Sequence, residues 1–221
     1  MKLVIISDTH SLHKSKEMVQ IPDGDVLIHC GDVSNAGYEQ EILGFIKWFS
    51  AQPHEHKVFI AGNHDFGLQL KSQAVTDAIK EAEERGVVYL EDSGVEIGGL
   101  KFWGSPWTPT FFDWAFMKNR GDESDCIGQV WQQVPDDTQV LITHGPPRLM
   151  NNLDYTTYGH INVGCDDLMI RVNQLQDLRL NCFGHIHGGY GVREIEGKTF
   201  VNASTCTEKY YPTNEPIIVE L

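Results

Sequence analysis

The feature that most constrains the fold is a series of short apolar runs, each closed by turn-forming residues. The runs are rich in Val, Ile and Phe, and they are punctuated by Gly, Pro, Asp or Asn. This pattern is typical of β-strands. It predicts strands at KLVIIS, VLIHC, KVFIAG, GVVYL, LKFWGS, VLITHG, LNCFG, KTFVNAS and PIIVEL.

Helical stripes lie between several of these runs, with apolar residues at i, i+3, i+4 and i+7. We interpret the stripes as core faces, and the alternation of strands with helices predicts an α/β layered domain. Residues 86–105 and 198–221 lack long helical patterns and indicate hairpins or a mixed sheet. The stripes are Ile42, Phe45, Ile46 and Phe49; Val75, Ala78, Ile79 and Ala82; Ile127, Val130, Trp131 and Val134; and Leu168, Val172 and Leu175.

Length and charge limit the classes of protein to which this chain can belong. A chain of 221 residues suits one sizeable domain better than two, so we predict a single domain over 1–221. The net charge of −14 argues against stable binding to nucleic acid or to an anionic membrane. A phosphorylated substrate stays compatible, because a bound cation can invert the local field. No apolar run reaches the ~20 residues that cross a bilayer.

The cysteines point to a reducing compartment. Their number is five and they show no tight spacing, so they do not form a disulfide framework. Cys30 and Cys182 lie inside apolar runs and are expected to be buried thiols. The segment MKLVIISDTH is too short and ends too polar for a secretory signal. We therefore predict a cytoplasmic protein.

Carboxylate, amide and imidazole side chains follow five of the predicted strands. In open α/β sheets, ligands bind outside the carboxyl ends of the strands. Each residue taken alone is explained by a turn or by a solvated side chain, but their joint occurrence predicts a metal site. In an extended segment, His185 and His187 would point the same way. The candidates in chain order are Asp8 and His10; Asp32; Asn63, His64 and Asp65; His144; and His185 and His187.

The blocks DTH, GD, GNHD, an isolated His and GHIH occur in this order between residues 8 and 187. With them the chain resembles the calcineurin-like metallophosphoesterase superfamily. The flanking segments GSPWTP, WAF, THGPP, VGC, NASTC and PTNEPIIVEL are similar to the metallophosphoesterase-domain-containing subfamily, also called the 239 family. The resemblance implies two packed mixed β-sheets flanked by helices.

The resemblance also implies a dinuclear metal site. Asp32 would bridge the two ions. The four imidazoles favour transition metals over Mg²⁺, and Mn, Fe and Zn stay open, with manganese our working choice. The absence of thiolate ligands argues against a structural zinc site. The other ligands implied are Asp8, His10 and His187 for the first ion, and Asn63, His144 and His185 for the second.

Two further residues are assigned to catalysis. Paired metals can clamp a phosphoryl group during in-line displacement. The resemblance implies that His64 contacts the phosphate and protonates the leaving oxygen, a role that suits a near-neutral pKa. Asp65 has two alternatives: it holds the His64 ring, or it is a loop carboxylate that satisfies backbone N–H groups.

The predicted function is hydrolysis of small phosphodiesters such as cyclic nucleotides. The alternatives are a general phosphomonoesterase and a binding or scaffold protein with a vestigial metal site. Asn35 and Ala36 stand where phosphoprotein phosphatases of the superfamily carry Asp and Arg, which removes a bidentate phosphate grip. Some subfamily members have Gly at the position of His185, so this chain should have a complete second site. The oligomeric state is open, with a homodimer as one option.

The segment SPWTPTFFDWAFMKNRG, residues 105–121, concentrates aromatic side chains. We expect most of them to form a satellite hydrophobic cluster and one or two to face the substrate, where a ring can stack on a base. Arg148 either meets a substrate phosphate or is a surface arginine, the commoner case. The remaining histidines are expected to be solvated or structural; they are His13, His29, His54, His56 and His160.

Overall fold

Two β-sheets pack face to face in the computed structural model of the protein, which describes residues 1–18, 20–121 and 124–221. In the first sheet, four parallel strands are joined by one antiparallel edge strand, in the spatial order β15-β1-β2-β3-β4. These strands are β1 (Lys2–Ile6), β2 (Val26–His29), β3 (His56–Phe59), β4 (Val87–Tyr89) and β15 (Ile217–Glu220).

The second sheet has four inner parallel strands between two antiparallel edges, in the order β13-β14-β12-β9-β6-β5. Its members are β5 (Ser93–Ile97), β6 (Leu100–Ser105), β9 (Val140–Thr143), β12 (Leu180–Phe183), β13 (Gly191–Ile195) and β14 (Lys198–Asn202). Two short pairs complete the strands: β7 (Thr108–Pro109) with β8 (Met117–Lys118), and β10 (Tyr155–Thr156) with β11 (Ile161–Asn162).

Four of the five described α-helices form where the apolar stripes predict them, and no stripe predicts α2. The first and second stripes lie on α1 and α3. The third and fourth extend past the ends of α4 and α5, since Val134 and Leu175 follow those helices. Short 3₁₀ turns cover Leu12–Lys14, Asn152–Asp154 and His187–Gly189. The α-helices are α1 (Glu39–Ser50), α2 (Phe66–Leu70), α3 (Gln73–Glu83), α4 (Ile127–Trp131) and α5 (Asp166–Gln174).

The inner strands are buried on both faces of the sheets, which explains why they read as unbroken apolar runs. In β1, Leu3 and Ile5 join the core between the sheets, while Val4 and Ile6 pack in the cluster that holds α1 and α3. The second sheet packs its outer face against α4 and α5. The layers are therefore helix, sheet, sheet, helix, and the prediction of two packed mixed sheets flanked by helices is confirmed.

Two hairpins close the edges of the second sheet. The β5–β6 hairpin lies inside the predicted region 86–105. The β13–β14 hairpin begins earlier than predicted, at Gly191 rather than residue 198, because β13 has a polar sequence that no apolar run reveals. Within the described residues, no helix combines the length and apolar character needed to span a membrane.

The carboxyl ends of five parallel strands converge where the two sheets meet. Strands β1, β2 and β3 belong to the first sheet, and β9 and β12 belong to the second. A single parallel bridge between Ser7 and Ser204 joins the ends of β1 and β14, so the sheets are tied together at this point. The predicted site residues occupy the loops that leave these strand ends.

Candidate metal centre

One group of candidate ligands gathers Asp8, His10 and His187, whose donor atoms all lie within 4.8 Å of one another. The two Nε2 atoms of His10 and His187 are 3.1 Å apart, and Nε2 of His187 is 3.5 Å from Oδ1 of Asp8. Three donors that face one point without an intervening side chain form the coordination pattern of a single ion.

A second group gathers Asp32, His144 and His185 within the same 4.8 Å limit. Asn63 adds its amide oxygen, since Oδ1 of Asn63 lies 3.0 Å from Nε2 of His144. The structure thus brings all seven of the predicted ligands together, in two neighbouring groups.

Asp32 connects the two groups. Its Oδ2 atom is 3.3 Å from Nε2 of His144 and 3.8 Å from Nε2 of His10. Its other oxygen, Oδ1, accepts a hydrogen bond of 2.8 Å from the backbone N–H of His64. One carboxylate thus faces both groups and is held in place from behind.

Main-chain carbonyls orient two of the imidazoles. Nδ1 of His144 lies 2.9 Å from the carbonyl oxygen of Cys30, and Nδ1 of His187 lies 3.0 Å from that of Thr207. A carbonyl only accepts, so each Nδ1 carries a proton and each Nε2 is the nitrogen that faces the site. Hydrogen bonds also fix the carboxylate of Asp8, which accepts from the hydroxyl of Ser204 at 2.8 Å and from the N–H of His185.

The backbone is strained at the ligand positions. Four of the seven candidate ligands adopt positive φ, a conformation that costs about 1–2 kcal/mol for an L-residue. His185, at φ 65°, follows the end of β12 in a turn, and His187 begins a 3₁₀ turn. The expected extended geometry of this stretch is wrong, although both rings do face the site. The four residues are Asp8 (51°), His10 (41°), Asp32 (53°) and His185.

Glycines let the backbone approach the carboxylates closely. A Cβ atom on Gly62 would overlap Oδ1 of Asp32, and one on Gly184 would overlap Oδ2 of Asp8. Both glycines directly precede candidate ligands, Asn63 and His185. The glycines that open the GNHD and GHIH blocks are therefore required because any side chain there would overlap a carboxylate of the site.

The electrostatics of the two groups attract cations. Burial opposes the charged form of Asp8 and Asp32, yet the neighbouring histidines, His187 and His144, hold both pKa values below the usual range. Burial lowers the pKa of His10 to about 4 and that of His185 to about 3, so both imidazoles are neutral near pH 7.

The other imidazoles of the two groups, those of His144 and His187, have raised pKa values. Burial favours the neutral form of His144, but the charge of Asp32 raises the His144 pKa to about 9. In the first group Asp8 likewise raises the pKa of His187 against the effect of burial. Without metal, His144 is therefore protonated near pH 7, and the donor set of ionised carboxylates, an amide and imidazoles fits two transition-metal ions.

His64 lies beside the first group without belonging to the ligand set that sequence predicts. Its ring is 4.7 Å from that of His10, centroid to centroid, and stacks on Trp114 at 4.5 Å. Nδ1 of His64 is 2.6 Å from the carbonyl oxygen of Asn35, which places a proton on Nδ1 and leaves Nε2 outside this hydrogen bond. His64 also lies within 4.8 Å of donor atoms of His10 and Asp32.

Of the two alternatives for Asp65, the structure matches the second: the carboxylate satisfies backbone N–H groups and is not hydrogen-bonded to the His64 ring. Its carboxylate is fully buried and accepts hydrogen bonds from the N–H groups of Gly62, Val33 and Ser34 and from the Ser34 hydroxyl. Burial and the charge of Asp32 raise the Asp65 pKa to about 6, while these donors favour the ionised form. Asp65 is a positioning residue that ties two loops of the site together.

A cleft of about 280 Å³ opens onto the two groups, and three rings of the aromatic segment line it: Phe111, Phe112 and Trp114. Phe116 is buried and Trp107 packs against the same core, so the division of the segment between core and cleft resembles the prediction, with one more ring in the cleft. Among the other histidines, His13, His29 and His54 are buried outside both groups, and His160 is exposed.

Sequence reasoning missed Tyr210, which also lines the cleft. Its ring is 4.9 Å from that of His10 and 5.1 Å from that of His187, and its φ is 59°. No ligand motif includes Tyr210. The one signal in the sequence is the block NASTC just before it, which supplies Ser204 and leads to Thr207.

The chain is similar to known proteins in its sequence and in its fold. Residues 1–189 match the family of calcineurin-like phosphoesterases. Metallophosphoesterase domain-containing protein 1 of Homo sapiens is 37% identical over 240 residues, a match that covers 100% of this chain and 71% of that protein. A UPF0046 protein of Caenorhabditis elegans is 36% identical over 228 residues, covering 99% and 74%. A Thermus thermophilus structure has a TM-score of 0.58 at 11% identity, covering 91% and 88%, and shares the fold.

Proposed function

The chain belongs to the calcineurin-like phosphoesterase family of metal-dependent phosphoesterases, and we propose that it hydrolyses small phosphodiesters such as cyclic nucleotides. The observation that carries the proposal is the position of Asp32 Oδ2 between His144 and His10. Two ligand groups that share one oxygen form a dinuclear site, the arrangement that two-metal phosphoryl transfer uses.

Asp8, His10 and His187 would hold the first ion, and Asn63, His144 and His185 the second, with Asp32 shared. When bound, such ions supply Lewis acidity toward a phosphoryl group and lower the pKa of a water molecule. We include manganese with iron and zinc as candidates, because imidazole-rich sites with carboxylate oxygens suit all three.

His64 acts as the general acid in this proposal. Its Nδ1 proton is held by the Asn35 carbonyl, and stacking on Trp114 fixes the plane of the ring. The protonated Nε2 then donates to the oxygen of the leaving alcohol, a transfer that usually contributes 10²–10⁴ in rate. Asp32 supports this geometry by accepting the backbone N–H of His64.

The charge of the cleft favours diesters over monoesters. The described residues that line it include no lysine or arginine. A monoester carries up to two negative charges at neutral pH and profits from a guanidinium grip, whereas a diester carries one. The aromatic rings of Phe111, Phe112 and Trp114 suit the organic arms of a diester better than a second phosphate charge.

Five free, buried cysteines support a cytoplasmic location, where thiols stay reduced. A small-molecule substrate agrees with the volume of the cleft.

The test is a substrate panel on metal-reconstituted protein. We expect manganese, iron or zinc to activate hydrolysis of bis(4-nitrophenyl) phosphate and of cyclic AMP above that of 4-nitrophenyl phosphate. Asp32→Asn is the inactive control, and Asp23→Asn, which changes an exposed carboxylate, should keep full activity. Faster hydrolysis of the monoester would overturn the proposed preference for diesters. If no ester is hydrolysed in a metal-dependent way, the proposal that the protein is an active phosphoesterase is overturned.

A further inference from the structure

We propose that a second pocket beside the cleft, here called the side pocket, binds the ester arm that remains on phosphorus after hydrolysis. The chemistry of the pocket selects an arm with a flat ring and an additional negative charge, such as a nucleoside phosphate. The inference rests on the proposed diester hydrolysis and adds acyclic diesters with such an arm to the cyclic nucleotides named above.

The side pocket adjoins the cleft. It has a volume of about 590 Å³ and shares Phe111, Phe112 and His185 with the cleft. The cleft alone, at about 280 Å³, lies at the lower end of the ~300–1,000 Å³ that ligand pockets occupy. A substrate larger than a phosphoryl group with one short arm therefore extends into the side pocket.

The positions of His64 and His185 decide which arm enters the side pocket. His64 contacts Trp114 in the cleft, whereas His185 lies against Phe111, at a ring distance of 5.4 Å. The attacking and leaving oxygens are roughly in line at phosphorus, so only the arm next to the general acid leaves. The arm that passes Phe111 and His185 stays attached.

Aromatic side chains give the side pocket an affinity for a flat ring. Phe111 and Phe112 lie edge to face at 5.4 Å and are 45% and 69% exposed. Tyr158 and Ile161, also exposed, line the same pocket from the segment around β10 and β11. Large exposed apolar side chains around one concavity are typical of a surface that another molecule covers.

Two arginines supply the affinity for a negative charge. Arg120 and Arg148 line the side pocket, and their Nη1 atoms lie 3.3 and 3.6 Å from the same oxygen, Oδ2 of Asp166. Two guanidinium groups opposite one carboxylate leave a local positive charge, in a chain whose net charge is −14. Arg120 also donates to the carbonyl oxygens of Val163 and Gly164, so its planar fork is held in place for an anion.

Thr108 points to the same conclusion. It lines the side pocket and is 1% exposed, and its Oγ1 atom has no hydrogen-bond partner among the described residues. A buried hydroxyl without a partner is costly, and a polar group of a ligand would satisfy it.

The experiment varies the retained arm and keeps the leaving group constant. Three 4-nitrophenyl phosphodiesters carry methyl, thymidine 5′-yl or 3′-phosphothymidine 5′-yl as the second arm. For the metal-reconstituted protein we expect kcat/KM to rise in that order, mainly through KM. Tyr158→Ala, which changes an aromatic residue that lines the side pocket and not the cleft, should abolish the gain of thymidine over methyl. Arg148→Gln should lower kcat/KM for the ester with the 3′-phosphate by roughly tenfold, the size expected for one charge-assisted hydrogen bond.

The methyl ester and an exposed arginine are the controls. Neither variant should change hydrolysis of the methyl ester, and Arg179→Gln, outside the side pocket, should change none of the three. An equal loss on all three esters, or no loss on any, would overturn the side pocket as the site of the retained arm.

A binding measurement separates this inference from the proposed function. Calorimetry of the metal-free protein with thymidine 3′,5′-bisphosphate should show binding that Arg148→Gln weakens roughly tenfold. If the reconstituted protein hydrolyses no ester, the proposed function fails, and this titration still decides whether the side pocket binds the arm. Unchanged binding in Arg148→Gln would overturn the inference even if the enzyme is an active diesterase.

Discussion

His185 and His187 are separated by one residue, yet their rings belong to different ligand groups. The left-handed backbone at His185 turns its ring toward His144, and the 3₁₀ turn that follows carries His187 to Asp8. We expect His185→Gly to weaken the second ion and His187→Gly the first. Crystals of each variant soaked in limiting metal would show by anomalous scattering which ion is missing. Loss of the same ion in both would contradict the separate assignment.

His64 lies beside the first ligand group and also lines the cleft, so two roles must be distinguished: general acid and metal ligand. A substitution at His64 separates them. We expect His64→Gln to lower kcat by about 10²–10⁴ while the metal content stays that of the wild type. The loss should be smaller for a nitrophenolate leaving group, which needs little protonation, than for an alkoxide. Equal losses with both leaving groups would exclude the acid role, and loss of metal would make His64 a ligand.

The proton on His144 makes metal binding depend on pH. Asp32 raises the His144 pKa to about 9, so near pH 7 this imidazole is protonated and an incoming ion must displace the proton. Metal affinity should therefore rise between pH 7 and about 9. Calorimetric titrations in buffers of different ionisation enthalpy would count the protons released. His144→Asn should release fewer protons than the wild type, and an identical count would contradict the assignment.

At the scale of the elements, Asp65 ties the loop after β2 to the loop after β3. The three N–H groups and one hydroxyl that donate to Asp65 would face an amide group in Asp65→Asn, whose NH₂ cannot accept. Each buried donor left unpaired costs roughly 1–3 kcal/mol. We expect a lower free energy of unfolding in urea and weaker metal binding, because Asp32 and Asn63 sit on these two loops. The exposed Asp177→Asn should change neither quantity.

The strand ends could be predicted because their signal is local. Each candidate ligand directly follows an apolar run, and parallel strands bring their carboxyl ends to one edge of a sheet. The partners behind the ligands gave no such signal. Asn35 and Thr207 act through main-chain carbonyls, which every residue carries, so only the folded chain shows that they orient His64 and His187.

The side pocket was equally hidden in the sequence. Its walls come from segments that lie far apart in the chain, near residues 108–120, 145–148 and 156–166. Arg148 was noted as either a phosphate contact or a surface arginine, and nothing in its sequence neighbours distinguishes the two. The distinguishing fact is that Arg120 lies near the same carboxylate of Asp166.

At the scale of the whole molecule, the site joins the two sheets. Asp8, His10, Asp32 and Asn63 follow strands of the first sheet, and His144, His185 and His187 follow strands of the second. Ions bound here stabilise only the state in which both sheets are packed. At 100 times Kd, one ion adds ~2.7 kcal/mol, which for a chain of this size raises Tm by about 5–10 °C.

Calorimetric melting with and without metal checks this expectation. Because the two sheets share one core, we propose that residues 1–221 unfold as one domain, in a single transition that metal shifts as a whole. The Asp32→Ala variant should lose most of the shift. Two separate transitions, with only one of them sensitive to metal, would contradict both the single domain and the joining of the sheets.

The distribution of the ligands along the chain also sets when the site can exist during synthesis on the ribosome. The first ligand is Asp8 and the last is His187, and the carbonyl that orients His187 belongs to Thr207. At 5–20 residues per second, roughly 10–40 s pass before all of these residues have been made. Until then the nascent chain exposes carboxylates and imidazoles that cannot yet enclose an ion. A site with all of its ligands in place therefore forms only after Thr207 has been made.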